Sequence, residues 1–142
     1  MPRASPALKH ARSCYGHLAG EAGIALRRCL EAKGLIEQHG TAYRLTETGR
    51  QWAEAHGLDA DDRHAERHAR CCLDWTERQP HIGGRLGASI LAHLLEKNAV
   101  RRGEGRVLRC PDDKGFETGF ETGFDAGFGA GFGAILAALD LV

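Results

Sequence analysis

The sequence predicts an α+β protein of two winged-helix-like helix–hairpin repeats packed together, mainly helical. The first observation behind this is an internal repeat. His17-Leu18-Ala19-Gly20-Glu21-Ala22-Gly23 aligns with His81-Ile82-Gly83-Gly84-Arg85-Leu86-Gly87 at an offset of 64 residues. At the same offset Leu30 meets Leu94, Lys33 meets Lys97, and Gly34 meets Asn98. Glycine and asparagine best tolerate the left-handed conformation that ends a helix. The second observation is the pattern after each stop. An apolar pair (Leu35-Ile36, Ala99-Val100) precedes a polar turn (His39-Gly40-Thr41, Gly103-Glu104-Gly105) and a second short strand.

Taken in order, residues 1–6 read as a loose terminus. From 7 to 33 the apolar positions Leu8, Ala11, Tyr15, Leu18, Ala22, Leu26, Cys29 and Leu30 recur at spacings of three and four, which predicts one helix. Gly20 and Gly23 inside it mark a kink or a close backbone approach. A hairpin with Gly40 at its turn spans 35–45. Thr46, or Thr48, caps a short helix that carries Trp52 to a stop near Gly57. These residues, 1–57, form the first repeat. Residues 58–70 are strongly polar and read as a linker or an exposed helix. The second repeat covers 71–114. Pro80 discourages helix at Gln79, and helix resumes near Ile82 with Leu86, Ile90, Leu91, Leu94 and Leu95 as its buried stripe. A second hairpin follows at 99–110.

In 115–142 five Gly-Phe pairs repeat every four residues, from Gly115-Phe116 to Gly131-Phe132. This low-complexity tail is open to three readings: a poorly ordered segment, a helix packed on the body or a partner, or a membrane-surface contact. Its apolar run from Ala126 to Leu139 is too short to span a bilayer, which takes about 20 residues.

Nineteen basic residues balance nineteen acidic ones, and the pI is about 7.1. A dedicated nucleic-acid binder has a basic face and a pI above ~9, so the chain as a whole does not fit that class. Its local candidates for phosphate contact are Arg27, Arg28, Lys33, Arg101 and Arg102. No apolar segment follows Met1, so no signal peptide is expected and the default location is cytoplasmic. Five cysteines, two of them adjacent, make a poor disulfide framework and fit reduced thiols.

Cys14 and His17, three residues apart on the expected helix, would share one face. With Cys71, Cys72 and His81 they could gather thiolates and imidazoles from both repeats. Such a set suits zinc, copper(I) or a thiophilic metalloid; the plainer reading is that the cysteines fill the core. No cofactor is otherwise called for. Asp74, Trp75, Glu77, Arg78 and His81 bring ring stacking and charged groups together within eight positions, as an effector pocket or as an inter-lobe contact. Cys72 and His81 resemble a nucleophile and base, but no third group orients them. There is no GxSxG, P-loop or HExxH, so an enzyme is not expected.

Two stretches carry a family resemblance: Arg12-Ser13-Cys14-Tyr15-Gly16-His17-Leu18-Ala19-Gly20 and Cys72-Leu73-Asp74-Trp75-Thr76-Glu77-Arg78-Gln79-Pro80-His81. Over residues 7–110 they resemble the C-terminal half of bacterial ArsR-type winged-helix transcriptional regulators. The resemblance implies a homodimeric regulator whose effector-sensing and dimerisation part is seen here. Its N-terminal DNA-binding domain would be separate or missing, because only six residues precede the match. The alternative is a Cys/His metal-binding protein that does not bind DNA.

Overall fold

A first departure from the expected pattern comes at Tyr15-Gly16. In the computed structural model, which describes residues 6–74, 78–110 and 132–142, both residues have positive φ, 51° and 88°. Two such residues in a row make the tight turn of a hairpin. The chain therefore doubles back where one long helix was expected. After a single turn of helix, α1 (Pro6–His10), strands β1 (Arg12–Cys14) and β2 (His17–Ala19) pair antiparallel. Helix begins only at α2 (Gly20–Ala32). All three β2 residues are buried. A strand buried on both faces shows no alternation, so its apolar positions fitted the helical spacing equally well.

Helix α2 stops at Lys33 and Gly34, the latter with φ of 71°. Strands β3 (Ile36–His39) and β4 (Ala42–Leu45) then form the hairpin around Gly40. The Thr46 hydroxyl accepts from the Gly49 amide at 3.0 Å and caps α3 (Glu47–Ala55). The polar segment 58–70 contains α4 (Ala65–His68), and the buried His68 ring lies 2.6 Å from the Asp59 carbonyl. Strands β5 (Cys71–Leu73) and β6 (Pro80–Ile82) form another hairpin. Helix α5 (Gly84–Glu96) comes next, two residues later than the sequence predicts, and ends at Asn98 with φ of 58°. Strands β7 (Arg101–Arg102) and β8 (Leu108–Arg109) pair after it, and α6 (Gly133–Ala138) closes the described chain.

The expectation of two winged-helix-like repeats, mainly helical, does not hold. The chain is α+β, and among the described residues four two-stranded antiparallel sheets share the fold with the helices. Helices α2 and α5 each stand alone between two hairpins, and no helix–turn–helix occurs among the described residues. The expected Gly/Phe tail lies largely outside the described residues; of it, Phe132, Ile135 and Leu136 are buried in the core.

Packing crosses between the halves. Helix α2 lies against β6, and α5 against β2. Arg12 bridges to Val107, and Ala42 to Arg70, so each half's first hairpin extends the other half's second. Leu30, Leu86, Ile90, Leu91 and Leu94 fill the space between. Each contributes about 1.5–3 kcal/mol by leaving water.

Candidate metal centre

Strand register sets up the site. Cys14 lies opposite His17 in the first hairpin, and Cys72 opposite His81 in the second. Directly paired residues project from the same face of a two-stranded sheet. Strands β2 and β6 touch, so the two Cys–His pairs face each other. The histidine ring centroids are 5.1 Å apart, and one ligand atom from each of the four residues lies within 4.8 Å of all the others.

Small residues make this approach possible. A Cβ on Gly87 would lie 3.0 Å from the His17 Cβ, and one on Gly23 would lie 3.2 Å from the His81 Cβ. A Cβ on Gly83 would meet the His17 Nε2 at 3.2 Å and the Cys72 Cβ at 3.3 Å. The glycine that recurs six residues after each histidine thus admits the other histidine.

Burial lowers the His17 pKa to about 4, helped by the neighbouring His81 and Arg70. Burial and the adjacent Cys14 push the Cys72 thiol up to about 11. Both shifts favour neutral groups in the absence of a cation. Zinc wants neutral imidazole and thiolate, so it would find His17 ready and would displace the thiol protons. Two thiolates and two neutral imidazoles cancel the charge of one Zn²⁺. Tetrahedral bonds of ~2.3 Å to sulfur and 2.0–2.1 Å to nitrogen place ligands about 3.3–3.8 Å apart. From separations of up to 4.8 Å, the cluster would have to contract by about 1 Å at its widest to reach that. A cleft of about 650 Å³ lined by Tyr15, His17, Glu66, Arg67, Arg70 and Arg85 leads from solvent to His17.

Cys71, the fifth expected ligand, is not in the cluster. Alternation along β5 turns it away from Cys72, toward the Gly40 carbonyl at 3.9 Å. Of the expected effector pocket, Asp74 and His81 come together, with Oδ2 3.2 Å from Nδ1. Arg78 is exposed, and Trp75 and Glu77 lie outside the described residues. Among the candidate phosphate contacts, Arg28, Lys33, Arg101 and Arg102 are exposed. Arg27 is engaged: it donates to the Pro80 carbonyl at 3.0 Å and to the Gln79 side chain at 3.2 Å, and pairs with Glu31 at 2.6 Å. It anchors the second hairpin to α2.

Sequence reasoning missed Arg12. Its side chain is fully buried and donates to Asp74 Oδ1 at 2.7 Å and to the Leu8 carbonyl at 3.1 Å. An arginine in a helical pattern gives no sign of this; pairing with Asp74, far along the chain, offsets the cost of burying the charge.

The assembled feature is a Cys2His2 cluster shared between two hairpins, with both histidines buried and Cys72 half-buried. Over 105 residues the chain is 36% identical to a Bacillus subtilis (strain 168) protein named as an uncharacterised HTH-type transcriptional regulator, YdfF. The match covers 72% of this chain and 46% of that protein, so the chain spans about half the length of the curated relative it matches. No family model and no solved structure matches it. Among the described residues, no helix is long and apolar enough to cross a membrane.

Proposed function

We propose that this chain is the effector-sensing part of an HTH-type transcriptional regulator of the ArsR type. Its effector is a thiophilic metal ion, zinc foremost, held by Cys14, His17, Cys72 and His81. The observation that carries the reading is the convergence of these four ligand atoms from two hairpins. The likeness to the Bacillus regulator supports the regulatory half. Binding between hairpins that each extend the other half would tighten the whole unit, which is a suitable output for a sensor. The protein is a binding protein rather than an enzyme, and it acts as a homodimer.

Titration with cobalt(II), followed by zinc competition, tests the metal. The parent should take up one ion with thiolate-to-cobalt charge-transfer absorption, and Cys14→Ala/Cys72→Ala should not. Equal uptake by both would overturn the assignment. DNA contact needs a reading head that the described residues lack, and the net charge is zero. Duplex DNA should therefore bind this chain only with a Kd of ~10⁻⁴ to 10⁻⁶ M at physiological salt. A nanomolar, sequence-selective gel shift by this chain would contradict that. The same absence favours a second reading, a Cys/His metal protein that acts without DNA. A metal-dependent change in operator binding by the regulator that contains this unit would reject it.

A further inference from the structure

We propose that Asp74 is a positioning residue for the His81 ligand, and that through Arg12 it ties metal loading to helix α1. The inference rests on the reading of the four-residue cluster as a metal site. His81 is fully buried, and its Nε2 has no hydrogen-bond partner among the described residues. A buried imidazole nitrogen left bare is costly unless something takes its lone pair. The other nitrogen, Nδ1, faces Asp74 Oδ2 across 3.2 Å, close enough for an ion pair but without hydrogen-bond alignment.

The Asp74 carboxylate cannot turn away. Oδ1 accepts from the Arg12 guanidinium at 2.7 Å, and Oδ2 accepts from the Gly20 amide at 2.6 Å. Gly20 is the first residue of α2, whose N-cap Ala19 has no side-chain acceptor, so Asp74 also supplies the anion this helix end favours. A carboxylate fixed beside Nδ1 selects the tautomer with its proton there and leaves Nε2 for the metal. A metal held at Nε2 would make the Nδ1 proton a better donor and draw it into a hydrogen bond with Asp74. Asp74 in turn holds Arg12, which donates to Leu8 in α1 at 3.1 Å. The relay thus runs from the metal, through His81, Asp74 and Arg12, to α1. Among the described residues His17, by contrast, has no carboxylate within ion-pair distance of its ring, so the device belongs to one hairpin only.

The test compares the full chain with Asp74→Asn by cobalt(II) binding, zinc competition and hydrogen exchange. Outer-shell partners of metal-bound histidine typically contribute 10–100-fold in affinity. Asp74→Asn should therefore bind ten- to a hundredfold more weakly, with the charge-transfer bands retained. Zinc should slow exchange of the Ala11 amide, which bonds the Ala7 carbonyl at 3.2 Å, in the parent and much less in the variant. Equal affinity, or equal protection of Ala11, overturns the proposal. Should Asp74→Asn fail to fold, Arg12→Met/Asp74→Asn removes the buried cation with its partner and must show the same weakening. Nitrogen-15 spectra of the zinc-loaded parent give a reading free of any variant: zinc on Nε2 with the proton on Nδ1 supports the role, and zinc on Nδ1 rejects it. A parent that binds no cobalt removes the metal reading itself, which is a separate result from equal binding.

Discussion

Hairpins 12–19 and 71–82 each bring one cysteine and one histidine to the same place, yet they are built differently. The first closes through Tyr15-Gly16, and Tyr15 is 94% exposed. In the second, Asp74, directly after β5, is completely buried. His17 accordingly has burial and two basic neighbours around it, whereas His81 has a carboxylate. Burial keeps one candidate ligand neutral, and a fixed carboxylate lies beside the other. A shared ligand set does not require a shared supporting shell.

The largest expected effect comes from removing what only the second hairpin has. Asp74→Ala leaves the Arg12 guanidinium buried without its carboxylate and should cost about 3–5 kcal/mol in denaturant unfolding. A loss no greater than that of a surface substitution would show that water reaches Arg12. Where the hairpins are alike, the response should be alike. A Cβ at Gly87 would sit 2.2 Å from the Ile82 carbonyl oxygen, and one at Gly23 2.5 Å from that of Leu18. Gly87→Ala and Gly23→Ala should each cost roughly 1–3 kcal/mol by overpacking and weaken metal uptake as the hairpins part. If only one weakens uptake, the two sides of the site are less equivalent than their glycines imply. Next comes the turn of the first hairpin. At Gly16 a side chain meets nothing within 4 Å, but φ is 88°. Gly16→Ala should cost about 1–2 kcal/mol, from backbone conformation alone.

Acid separates the two histidines more gently. Unfolded chain protonates His17 near pH 6.5, while the fold resists until about pH 4. Its contribution to stability in metal-free protein is therefore complete above about pH 6.5 and is lost as pH falls toward 4. Unfolding midpoints across that window should fall, and His17→Gln should flatten the trend. The smallest effect is at the exposed Arg70, a minor contributor to the shift. Arg70→Gln should move the His17 pKa upward in a proton NMR titration, without changing the fold.

Parts of this were readable in the residues. Gly34 and Asn98 announced the ends of α2 and α5, and both adopt the left-handed conformation. Gly40 and Thr46 located the β3–β4 turn and the α3 cap, because such signals act within a few residues. The first hairpin was hidden because His17, Leu18 and Ala19 are buried on both faces and display no strand alternation. That error carried into the site. With Cys14 and His17 placed on a helix, nothing could decide between Cys71 and Cys72. Strand geometry decides it at once, since adjacent residues face opposite ways. Four of the five expected ligands converge because cysteine and histidine were singled out by chemistry. Arg12 escaped notice because its partner lies on the other hairpin, and no local pattern encodes such a pair.

The crossed pairing of the two halves, with Arg12 beside Val107 and Ala42 beside Arg70, has a bearing on biosynthesis. A nascent chain emerging from the ribosome cannot complete either half alone. Its first hairpin waits for Val107, about 90 residues later, before its edge is satisfied, and loop closure over so long a separation slows folding. Until then, unpaired strand edges stay open to capture by a neighbouring copy, so an exchanged-arm dimer is the natural error of this architecture. Metal binding by the four Cys/His side chains, as proposed, would join the hairpins early and close that route during synthesis.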